Sequence, residues 1–210
     1  MRLRFWIKES LKISAIVILA SLFYGIFLWV MMDDFSESPV FVGMVFMITM
    51  GGLYLGIFTY TAYYSYLSVA VAFGSTRKEA LAGMRLFRLI FMGVIALAAL
   101  ILAVIHYGGF HLELLLHIPL SILLDLLFSA GGMLAGIANI RRGGKAAAWV
   151  FGGFAALLVA LAVLIVVLVL AAAGNVLKWV VIALVALIPV VHILCLKPEK
   201  KTVEMFSVKL

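Results

Sequence analysis

The stretch VAVAFGSTRKEALAGMRLFRLIF, Val69 to Phe91, sets four basic residues, Arg77, Lys78, Arg85 and Arg88, between two long apolar segments. If an apolar helix begins at Val40, about 30 Å of hydrocarbon is used up near Tyr60 at the normal helical rise. Tyr60, Tyr63, Tyr64 and Tyr66 follow, as expected of an aromatic belt at a membrane interface. The text LSVAVAF, residues 67–73, then runs on apolar for about 10 Å more of helix, so it is covered by protein or the span tilts strongly. Gly74 suits the end of that helix. Thr76-Arg77-Lys78-Glu79 has the T-x-x-E spacing of a capping box, in which the Thr hydroxyl accepts from an early helix N–H and the Glu reaches back to the cap. A short charged helix is therefore expected from about residue 75 to 85. Arg77 and Lys78 would fall in its first turn, where the helix dipole disfavours cations, so anionic lipid or the acidic groups of a partner would compensate them. The plainer alternative is that they only set topology on a solvated turn.

Composition fixes the class around this stretch. The chain has 210 residues, 67% of them hydrophobic and 12% charged, with a mean hydropathy of +1.30. A soluble domain of this size cannot carry so little polar surface, so the reading is an all-α polytopic membrane protein. Spans need roughly 20 apolar residues, and six stretches qualify: Ile13 to Met32, Val40 to Tyr63, Leu86 to Tyr107, Ile118 to Ile140, Ala146 to Ala171 and Val176 to Leu196. The first follows a basic segment, but its apolar part is longer than a secretory signal's and no A-x-A-like site follows, so it reads as a span. The six spans form one domain, residues 13–196, flanked by segments 1–12 and 197–210. The single cysteine, Cys195, permits no disulfide within the chain.

Orientation follows from the basic residues, which collect in alternate connections. Arg2, Arg4, Lys8 and Lys12 share a side with Arg77, Lys78, Arg85 and Arg88, with Arg141, Arg142 and Lys145, and with Lys197, Lys200, Lys201 and Lys209. Lys178 falls on the other face. Both termini are thus expected in the cytosol, and the formal charge of +7 is mostly a topology signal. Split over four short segments without a binding motif, that charge does not describe a nucleic-acid surface. The outer connections are too short for a ligand-capturing ectodomain.

AFGSTRKEALAG, followed by a basic residue and another span, resembles the G-x-[ST]-R-[KR] loop after the second span of bacterial ABC transporter permeases of the ABC-2 type. The layout is similar as well: a basic, aromatic start MRLRFWIKESLK, six spans and both ends inside. The resemblance implies that residues 1–12 form an amphipathic elbow at the membrane surface. It also implies that the short helix is a coupling helix docking on a nucleotide-binding ATPase subunit, with Gly74, Ser75, Thr76, Arg77, Lys78 and Glu79 as coupling residues. In that family the chain would be one permease subunit of an exporter in a bacterial cytoplasmic membrane, pairing with an identical or related permease. It would need no cofactor of its own, with ATP and Mg on the partner. RRGGKAAA lacks the first glycine and the hydroxyl residue of a phosphate-binding loop, in keeping with that division of labour. A peptide, a lipid and a hydrophobic compound are equally compatible cargoes. The competing reading of the same topology is a non-transporting immunity or sensor protein whose inner loops bind a partner.

Within the spans, Asp125 stands about 7 residues into the fourth and is a functional candidate because a buried carboxylate is costly. It would contact a cationic substrate, relay a proton, or simply be a neutral or hydrogen-bonded acid near the outer interface. His106, His111, Glu113 and His117 match no compact metal-ligand spacing and read as interface residues, so no metal is expected. Gly52 with Gly56 and Gly132 with Gly136 each make G-x-x-x-G, which permits close helix packing. No serine-hydrolase, intramembrane-protease or metal-hydrolase motif is present, so no enzyme is expected.

Overall fold

The computed structural model describes residues 3–31, 38–66, 76–110 and 117–154, with the single positions 156, 186 and 190. Its elements are α1 (Leu3–Met31), α2 (Pro39–Thr61), α3 (Arg77–His106) and α4 (His117–Arg142), and a π-helical turn, Ala62–Tyr66, prolongs α2. Residues 144–154 are also helical. Four helices among the described residues are long and apolar enough to cross a bilayer, which fits a membrane protein. Of the fifth expected span only the start is described. The sixth, apart from two isolated positions, lies outside the described residues, as do segment 197–210, Gly74, Ser75, His111 and Glu113.

Two expected boundaries are absent. No surface elbow precedes the first span, because α1 runs unbroken from Leu3 through Lys12 to Met31. Nor does a separate short helix precede the third: the capped start at Thr76 opens α3 itself, 30 residues long. The elbow was implied by the resemblance and the short helix by the capping box, with the following spans set to begin where charge gives way to apolar text, and backbone hydrogen bonding does not stop there. No proline interrupts residues 3–31 or 77–106, and α1 has no glycine before Gly25. At about 1.5 Å per residue each helix is roughly 45 Å long, so each overshoots the hydrocarbon by about 15 Å.

The interior of α1 is inverted relative to a soluble helix. Its buried residues are Trp6, Ser10, Ser14, Ser21 and Gly25. Ile16, Leu19 (67% exposed) and Phe23 (72% exposed) face outward. In water this surface would be untenable; in lipid the apolar side chains are already solvated and small residues allow close helix contact. The buried hydroxyls are satisfied locally, Ser14 donating to the Ser10 carbonyl at 2.8 Å and Ser21 to that of Val17 at 2.7 Å.

Two of the helix contacts join parallel helices, α1 with α3 and α2 with α4, while the antiparallel α1–α2 contact, where Gly25 lies against the backbone of Gly43 and Pro39, is more extensive than α1–α3. In the α1–α3 pair, Ser10 Oγ donates to the Phe87 carbonyl at 3.0 Å and Trp6 covers Gly83. In the α2–α4 pair the two G-x-x-x-G motifs meet each other. A Cβ on Gly132 would collide with the Gly56 carbonyl, one on Gly56 would lie 3.0 Å from the Phe128 carbonyl oxygen, and one on Gly136 2.9 Å from that of Tyr60. This is the most extensive helix contact in the bundle. An aromatic file joins α2 to α3, with Phe58 stacked on Phe87 at 4.0 Å and Tyr54 on Phe91 at 5.4 Å. With this arrangement every Lys and Arg of α1, α3 and α4 lies toward one end of the bundle, called the basic end below.

Candidate functional site

The basic end presents the start of α3. Thr76 N–H donates to Glu79 Oε2 at 3.0 Å, and Glu79 N–H donates to Thr76 Oγ1 at 3.2 Å, so both arms of the capping box are made. Thr76, Lys78 and Glu79 are exposed. Three turns of helix later Arg88 Nη1 donates to Ser129 Oγ of α4 at 3.3 Å. Ser129 in turn shares a hydrogen bond of 3.1 Å with Thr59 of α2, whose hydroxyl also donates to the Leu55 carbonyl. Closer to the basic end Asn139 Nδ2 donates to the Tyr60 hydroxyl at 2.7 Å. The helix start is thus tied to α1 through Trp6 and Ser10, and to α4 through Arg88.

Asp125 sits beside Gly51, near the middle of α2, where a Cβ on Gly51 would be 3.8 Å from Asp125 Oδ1 and 3.2 Å from Ile95 Cγ2. The matched spacing of Phe128 with Gly52 and of Gly132 with Gly56 sets α4 residues level with α2 residues 76 positions earlier, which puts Asp125 about 15 Å along α2 from its start. That distance is about half a typical hydrocarbon thickness. Asp125 is fully buried. Neither carboxyl oxygen has a hydrogen-bond partner, nor does the buried hydroxyl of Ser121 one turn earlier. Ser121, Asp125 and Ser129 recur every fourth residue and so share one face of α4.

At the opposite end His106 serves the fold. Its Nδ1 is 2.6 Å from Ser38 Oγ, and the same oxygen accepts from Phe41 N–H to cap α2. Among the described residues no three metal-ligating side chains gather.

Three participants escaped the sequence reading. Arg88 read as a topology residue, yet it reaches the core hydroxyls. Ser129 carried no signal until Asp125 was set four residues before it. The Ser10, Ser14, Ser21, Gly25 stripe was legible as small residues recurring at intervals of four and seven. No protein family, no curated protein and no solved structure matches this chain.

Proposed function

We propose that this chain is the membrane subunit of an ATP-binding-cassette exporter, carrying a peptide, lipid or hydrophobic compound across a bacterial cytoplasmic membrane with ATP hydrolysed on a separate subunit. The observation that carries the proposal is the exposed, fully capped start of a helix that then runs without a break through the bundle. A partner bearing acidic groups would satisfy Arg77 and Lys78, which the helix dipole leaves in an unfavourable place. Displacing Thr76 to Glu79 would move a rigid 30-residue rod, tied to α1 by Trp6 and Ser10 and bearing on the α2–α4 pair at the Arg88–Ser129 contact. In this reading the coupling element is the first turns of α3 rather than a helix of its own. The basic end faces the cytosol, six spans form the subunit, and a second permease chain completes the pathway. Alternation between inward- and outward-open states then needs the partner to bind one arrangement of α3 better than the other.

Co-purification in mild detergent from the native host tests the proposal, comparing wild type with an Arg77→Glu, Lys78→Glu double variant of matched thermal stability. A nucleotide-binding subunit should accompany the wild type and be lost from the variant. If no ATPase is recovered under conditions that preserve other such complexes, the permease reading falls and the immunity or sensor reading takes its place.

A further inference from the structure

We propose that Asp125 is a proton-binding site at the centre of the bundle, and that Arg88 is the counter-ion that receives its carboxylate when the proton leaves. The inference stands apart from the docking of an ATPase and survives or fails without it.

The argument begins with three buried oxygens that have no partner, the two of Asp125 and the hydroxyl of Ser121. A fully buried carboxylate with no donor from the protein is costly; it carries a proton or it holds a cation. The space beside it decides between these. The three helices approach closely here: even a methyl group on Gly51 would press on Ile95 at 3.2 Å and lie 3.8 Å from Asp125 Oδ1, closer than a hydrated ion would allow. A bare cation of the hard type wants about six oxygen ligands, and Ser121, Asp125 and Ser129 offer four side-chain oxygens, one of them already bonded to Arg88 and Thr59. A positive guanidinium one turn away at Ser129 opposes a metal cation further. A proton needs no room and no coordination shell.

The charged and titratable groups around the site then define what ionisation would do. On α2 there is no Asp, Glu, Lys, Arg or His, and its tyrosines are engaged elsewhere, Tyr54 in stacking on Phe91 and Tyr60 with Asn139. On α4 the other ionisable groups, His117, Arg141 and Arg142, lie at its two ends. On α3, His106 is held by Ser38 at the opposite end, Arg77, Lys78, Glu79 and Arg85 belong to the basic end, and Arg88 donates to Ser129, one turn from the site. Ser129 is one turn, about 6 Å, from Asp125 on the same face, a step within the swing of an arginine side chain. On ionisation the carboxyl O–H bond breaks with its electron pair left on oxygen, the proton passes to water at the basic end, and the guanidinium exchanges Ser129 for the carboxylate. The ring of contacts among Arg88, Ser129 and Thr59 therefore rearranges with proton occupancy, linking α3 to the α2–α4 pair.

Infrared difference spectra of the full chain reconstituted in lipid, recorded as pH is raised, test this. A carboxylic-acid carbonyl band should disappear reversibly while carboxylate bands appear, and Asp125→Asn should lack both changes. In Arg88→Gln the acid band should persist to higher pH, by on the order of one pH unit, whereas Arg88→Lys should keep a profile close to the wild type. An acid band assigned to Asp125 that survives to the highest pH at which the helical fold persists makes Asp125 a permanently neutral acid and overturns the proposal. No acid band assignable to Asp125 at any pH overturns it too. A profile identical to the wild type in a folded Arg88→Gln removes Arg88 as counter-ion; if that variant does not fold, Arg88→Met takes its place, with a profile displaced to higher pH supporting the counter-ion and an unchanged one removing it.

Discussion

The two parallel helix pairs are held in different ways. In the α2–α4 pair the backbones themselves touch, Gly56 against Gly132, and the contact continues from Gly52 to Gly136. In the α1–α3 pair contact near the basic end depends on a large side chain, Trp6, laid over Gly83, and on one hydroxyl, Ser10, reaching the Phe87 carbonyl. Backbone contact cannot yield without moving a helix, whereas a side chain can rotate. The α2–α4 pair is accordingly the fixed frame of the bundle, with α1 set against it where a Cβ on Gly25 would meet the backbone of Gly43 and Pro39, and the α1–α3 contact near the basic end is where adjustment is cheap. Gly132→Ala tests the frame and should have the largest effect. The added Cβ would meet the Gly56 carbonyl, so α2 and α4 must separate, at a cost of about 1–3 kcal/mol. Unfolding in mixed micelles reads that loss directly; an unchanged midpoint would mean that the pair is not held by glycine contact.

Gly83→Ala probes the other pair and should cost less, about 1 kcal/mol, because the obstructing atoms are the Trp6 indole and not backbone. Trp6, now buried, should become accessible to a quencher in a protein whose other tryptophans are phenylalanine. Adding Trp6→Ala to Gly83→Ala should then cost less than Trp6→Ala does alone in the wild type, since the two residues share one contact. Additive costs would separate them and make Gly83 a simple helix defect.

Legibility in the sequence followed the same division. The G-x-x-x-G pairs were readable because close packing in lipid selects small residues at fixed spacing; which glycine faces which was not, since one glycine stripe fits any other. The capping box was readable because its chemistry is local, with Thr76 and Glu79 three residues apart. Helix lengths were not. The changes from charged to apolar text near Ile13 and Leu86 looked like boundaries, but a helix end is set by caps, glycine and proline. Where the φ of +81° at Gly143 allows a break, one occurs, and Arg142 ends α4 before residues 144–154 resume the helix. The candidate acid Asp125 stood out as the one carboxylate in an apolar stretch. Its burial and its lack of a hydrogen-bond partner did not, because both depend on how α4 sits against α2 and α3. Arg88 was hidden by the basic residues around it, and a long side chain that buries its stem looks no different in sequence from one that remains in water.

The capping box belongs to neither pair and gives the smallest effect. Thr76→Ala removes the acceptor for Glu79 N–H and the first-turn order that depends on it, a loss of about 1 kcal/mol at a helix start. Because Thr76, Lys78 and Glu79 are exposed and α3 is otherwise anchored from Ala80 onward, the loss should stay local. Amide exchange at Glu79 and Ala80, the first bonded amides of α3, should speed roughly fivefold while the rest of α3 keeps its protection. The global unfolding midpoint should scarcely move. Thr76→Ser should restore slow exchange, since a hydroxyl suffices for the cap. Were exchange instead to quicken through Phe87 and beyond, the start of α3 would be holding the α1–α3 contact in place, and the adjustable pair would be governed from its exposed end rather than by Trp6.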